Sequence, residues 1–129
     1  MTIRYLLIPE IGDIKEFTLL GYTAKTSFQW LRAHIQPHFD ELFEHVAVLY
    51  EGQRRDMFVG ETSAINGRHI RNIRATNIYR ANAIRRYEEG DGFDLPRDPE
   101  RPRWTSFDPE SLPAISGPVV LFPNRRVWF

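Results

Sequence analysis

The chain has 129 residues, 42% of them apolar and 13% aromatic, which suits one folded domain over 1–129 and excludes both a disordered chain and two full domains. Seventeen basic side chains balance seventeen acidic ones, so no whole-molecule field draws the protein to nucleic acid or to anionic lipid. Cysteine is absent, which excludes disulfides, thiolate metal sites and cysteine nucleophiles and fits a reducing cytoplasm.

Ile3 to Ile8 is an apolar run of strand length, too short for a bilayer span or a secretory signal. Pro9 to Asp13 then supplies a turn, and Ile14 to Leu20 reads as the second strand of a hairpin. Thr26 and Gln29 have capping-box spacing, and Phe28, Leu31 and Ile35 share one face of a helix predicted over 27–36, which Pro37 ends. The segment 38–45 is expected to add a last helical turn with Phe39, Leu42 and Phe43 turned inward. Val46 to Tyr50 and Met57 to Val59 read as a second hairpin, joined by the polar stretch 51–56 with Gly52 in the bend.

The stretch from Asp56 to Tyr87 carries the clearest local signals. Asn72 is placed as the N-cap of a helix over 73–88, because its side-chain oxygen can accept from an exposed amide of the first turn. Ala75, Tyr79, Ala83 and Tyr87 line one stripe of that helix, with Ile73, Thr76 and Ile84 at its margin. Arg74 and Arg85 point together on the far side, and Arg71 stands just ahead of the first turn. Between residues 54 and 86, eight arginines and His69 meet only Asp56 and Glu61, which makes a local basic patch.

The sign then reverses. From 88 to 110 there are eight carboxylates and three arginines, in a Pro-rich loop over 89–113 that carries Phe93, Leu95, Trp104 and Phe107. Such apolar anchors favour a loop draped over the body, its acids partly neutralising the arginine helix. Val119 to Phe122 reads as a buried strand, and Arg126 to Phe129 as a final strand or as an aromatic tail that docks on a partner. Together these elements predict an α+β fold, a mostly antiparallel sheet of five to six strands with two helices.

This order of residues resembles the domain-of-unknown-function 3846 family, small proteins of bacteriophages, plasmids and the bacterial genomes that carry them. The resemblance rests on Phe58, Val59 and Glu61, then Gly67, Asn72, Ala75, Thr76 and Tyr79, and finally Ile115, Gly117 and Val119 to Leu121. It implies a mobile-element origin and a small α/β fold, and brings no catalytic residues with it.

His34 and His38 have the spacing of a metal pair on a continuous helix, but Pro37 falls between them, so no metal or cofactor is expected. His69, with Glu61, Asp56 and nearby arginines, is the one candidate acid–base group. Walker loops, dinucleotide glycine patterns and a nucleophile elbow are missing from the sequence. Arginines beside aromatic side chains suit phosphate contacts and stacking, so the candidate binding residues are Arg68, His69, Arg71, Asn72, Arg74, Arg85 and Trp104. Three readings follow. The first is a non-enzymatic binding module acting in the host cytoplasm, away from membranes, on a host or phage protein or on nucleic acid. The second is a phosphate-directed enzyme acting on a nucleotide or nucleic acid, and the third a homodimeric assembly protein.

Overall fold

A computed structural model describes residues 2–23, 28–61, 69–89 and 114–128, with the backbone alone over 82–89. The expected loop from residue 90 onward, Thr26 of the capping box, Arg68, Trp104 and Phe129 lie outside the described residues. The elements in order are β1 (Thr2–Ile8), β2 (Lys15–Leu20), α1 (Phe28–Ile35), a 3₁₀ turn (Gln36–His38), β3 (Phe43–Tyr50), β4 (Gln53–Gly60), α2 (Ile73–Glu89) and β5 (Val119–Phe122).

Both expected hairpins form, and β5 slots between them to give one antiparallel sheet in the order β2-β1-β5-β4-β3. Leu121 pairs with Leu6 on one side and with Met57 on the other. A strand in this position is covered on both faces, which is why its sequence VVLF shows no alternation and all four side chains are buried. Successive residues of β5 feed two cores. Val120 and Phe122 join Ile3, Tyr5 and Phe58 beneath Leu31 and Ile35 of α1, whereas Val119 and Leu121 join Ile8, Met57 and Val59 beneath Ala75 of α2. On the α1 side the core is aromatic: Phe58 and Phe122 meet edge to face at 5.9 Å, and Tyr5 stacks on Phe17 across the first hairpin at 5.1 Å.

Three expectations are corrected. The segment 38–45 adds no helical turn: the 3₁₀ turn that contains Pro37 ends at His38, and β3 begins at Phe43 rather than Val46. Extended backbone here pairs Phe43 with Gly60 and lets its ring pack against Phe39 and Phe58, a placement a further helical turn would forfeit; Leu42 is left 61% exposed. The second hairpin turns on Glu51 and Gly52 alone, with φ of 51° and 78°, so Gln53 to Asp56 belong to the ladder. Two successive positive φ values are the mark of the two-residue turn whose twist matches the strands. Finally, residues 123–128 form no strand, because the Val127 and Trp128 amides are taken by the Asp56 side chain. The described sheet therefore has five strands. Among the described residues, no helix is long and apolar enough to cross a membrane.

Candidate functional site

The end of the sheet where β1 stops and α2 starts is held by one amide side chain. Asn72 is fully buried, and its Oδ1 accepts the Ala75 N–H at 3.1 Å, the N-cap bond that the sequence predicts. Its Nδ2 donates to the carbonyls of Ile8 and Gly117, both at 2.9 Å. Only an amide can accept at one end and donate twice at the other; aspartate would cap but leave both carbonyls without a donor. Thr76, one turn on and equally buried, accepts the Ile115 N–H at 3.0 Å and donates back to the Ile115 carbonyl at 3.3 Å. These bonds lock the first turn of α2 to the strand entering the sheet centre.

Two charged side chains tie the same turn to the first hairpin. Arg74 donates from Nη2 to the Pro9 carbonyl at 2.7 Å. His69 sets Nδ1 3.3 Å from Glu10 Oε2, and Nε2 3.0 and 3.2 Å from the two Asp40 oxygens. The Asp40 bond, helped by Glu10 and opposed by partial burial, holds the His69 ring above the usual histidine range.

Beside this locked turn lies an open cleft of about 260 Å³ lined by Arg71, Ile73, Thr76 and Asn77. Ile73 of this lining is 65% exposed, Ile70, next to Arg71 in the chain, is 55% exposed, and Arg71 is exposed with its backbone bridged to Ser116. Among the described residues, the lining offers one cation, an aliphatic surface and an amide. Thr76 supplies a hydroxyl, but both of its hydrogen-bonding roles are used on Ile115. Among the described residues this is contact chemistry, without a nucleophile set against a base.

Of the predicted site residues, the fold brings His69, Arg71, Asn72 and Arg74 together, with a different task for each. Arg71 faces the cleft, Asn72 and Arg74 are engaged in holding the fold, and His69 bridges two carboxylates. Arg85 lies in α2 with its side chain outside the described residues. His69 does not meet Glu61 or Asp56 as expected, because Asp56 points into the α1 core. His34 lies exposed against the Trp30 ring at 4.5 Å, whereas His38 Nε2 is hydrogen-bonded to the Tyr5 hydroxyl at 2.8 Å. Burial, reinforced by Lys15, keeps His38 below the usual histidine range, and burial raises the Tyr5 phenol. The two histidines thus never converge. Among the described residues, no group of three His, Cys, Asp or Glu side chains is placed to hold a metal ion.

One cluster escaped the sequence reading. Asp56 has no exposed surface; its Oδ1 accepts from His45 Nε2 at 2.7 Å, and its Oδ2 accepts the amides of Val127 at 2.6 Å and Trp128 at 3.0 Å. Burial alone would raise this carboxyl, but the three hydrogen bonds together outweigh it and hold the group below the usual carboxylate range. Trp128 completes the site by stacking on His45 at 5.1 Å and meeting Phe28 edge-on at 4.9 Å. The available signal was alternation. Asp56 is in phase with Phe58, so once Phe58 is core, a buried carboxylate needing donors follows.

No family model, curated protein or solved structure matches the chain.

Proposed function

We propose that the protein is a non-enzymatic binding module of mobile-element origin, acting in the host cytoplasm, whose contact surface is the cleft at the start of α2. The observation that carries this reading is the pairing of two well-exposed isoleucines, Ile70 and Ile73, with the exposed Arg71 on a turn that Asn72 and Thr76 make rigid. A rigid apolar surface with one cation loses little freedom on binding and suits a protein segment that presents an aliphatic side chain beside a carboxylate. Nucleic acid would ask for several cations along a phosphate track. Here Arg74, the next arginine after Arg71, is already committed to the Pro9 carbonyl. The phosphate-directed reading would need a free ring nitrogen on His69, and both are in use.

The test is site-specific photo-crosslinking from position 73 of the full chain in bacterial cytoplasm, alongside oligonucleotide binding at low and high salt. A discrete protein adduct that disappears in Arg71→Glu is the expected result. Salt-sensitive oligonucleotide binding that survives Ile73→Glu, with no adduct, would replace the protein partner with nucleic acid.

A further inference from the structure

We propose that His69 is a proton-operated clasp on this cleft: the imidazolium ties Glu10 of the β1–β2 turn and Asp40 of the segment ahead of β3 to the chain entering α2, and the neutral ring releases one of these two carboxylates. The consequence for binding rests on the function proposed above; the chemistry of the clasp does not.

The geometry demands a doubly protonated ring. Nδ1 faces Glu10 at 3.3 Å and Nε2 faces Asp40 at 3.0 and 3.2 Å, and an ionised carboxylate can only accept. A neutral imidazole would turn a lone pair toward one of the two carboxylates, replacing attraction with repulsion. The two bonds are unequal. Asp40 offers both oxygens to Nε2, while Glu10 offers one at longer range, so the proton leaves Nδ1 for solvent and Glu10 is the partner set free. The His69 side chain is 15% exposed, which gives water access to the ring.

Among the described residues, the charged groups that meet the ring come from two places. Glu10 lies on the β1–β2 turn and Asp40 between the 3₁₀ turn and β3. Arg74 reaches from α2 to the Pro9 carbonyl, one residue from Glu10. Arg74 keeps its charge over this range, so it holds the backbone of the turn while the Glu10 side chain swings away. Asp40 and Glu10 both favour the charged ring, so the clasp is still closed at the ordinary histidine midpoint and opens on the alkaline side. The signal has a short path. Ile70, the next residue, accepts the Gly117 N–H at 3.0 Å, and Arg71 follows on the cleft wall.

The decisive experiment is an NMR titration of the free full-length protein from about pH 5.5 to about pH 9, following the His69 ring and the amides of Glu10, Ile70 and Arg71. One shared midpoint above about 6.5 is expected. Asp40→Asn should lower that midpoint, Glu10→Gln should lower it less, and His69→Gln should abolish the amide transition while the Asn72 and Thr76 amides stay in place. A ring midpoint at or below about 6.5, or Ile70 and Arg71 amides that do not follow the ring, would overturn the clasp. If His69→Gln does not fold, Asp40→Asn decides the matter, because it keeps the ring. No partner enters this measurement, so a clasp that titrates as described beside a failed crosslink at position 73 would sink the binding function alone.

Discussion

At His45 the imidazole meets a carboxylate with no exposed surface; at His69 it meets two that keep contact with water, Glu10 and Asp40. The first pair lies against the α1 core, where Asp56 also gathers two backbone amides, so its loss would leave three donors, the buried Val127 amide among them, without their acceptor. The second lies at one end of the sheet, where a released carboxylate is simply solvated. The same two chemical groups therefore make a permanent joint in one place and a reversible one in the other, and burial of the acid is the difference.

The hardest way to break this contrast is Asp56→Ala. It orphans His45 and the Val127 and Trp128 amides, and is expected to cost about 3–5 kcal/mol, read as a shifted urea midpoint. Next comes Asn72→Ala, which removes a helix cap worth about 1 kcal/mol and leaves two buried carbonyls without their donor at about 1–3 kcal/mol together. Asn72→Asp should be nearly as damaging, since it restores the cap but not the donors. Should Asn72→Asp prove harmless, the rim would depend on its ionic contacts after all.

A pH scan of thermal stability sharpens the contrast further, because the two sites carry opposite signs. Asp56 titrates lower in the folded protein than unfolded. Its contribution is therefore present above about pH 3.9 and is lost as pH falls through its depressed folded value. His69 titrates higher when folded, so its contribution is complete below about pH 6.5 and is lost as pH rises through its raised value. His69→Gln should flatten only the alkaline limb, and Asp56→Asn only the acid one. The smallest expected effect is that of Ile73→Glu, within about 0.5 kcal/mol of the parent protein by urea denaturation, because the side chain meets solvent rather than core.

The sequence made local features legible and distant ones opaque. The hairpin arms, the Pro37 stop and the Asn72 cap were each readable from neighbours within a turn or two. The Asn72 bonds that matter most to the rim were not, because Ile8 and Gly117 lie 64 and 45 positions away. Likewise the acid that holds the C-terminal tail sits 71 positions from Val127, and the partners of His69 lie 59 and 29 positions away. Such pairings depend on which loops the topology gathers at one end of a sheet, and spacing along the chain does not encode that. The arginine helix shows the same limit. Arg71 and Arg74 look equivalent by composition, and only the fold sends one outward and the other onto a carbonyl.

The central position of β5 has a consequence for the order in which this protein assembles. Each hairpin can zip up by itself, but the backbone groups of β1 and β4 that face the middle of the sheet have nothing to bond until Val119 to Phe122 arrive, long after both hairpins have been synthesised. A nascent chain leaving the ribosome thus carries two half-sheets, each with a raw inner border, and both borders close in a single late insertion of four residues. Shortening the polypeptide ahead of Val119 should yield sticky, aggregating halves rather than a slightly weakened whole.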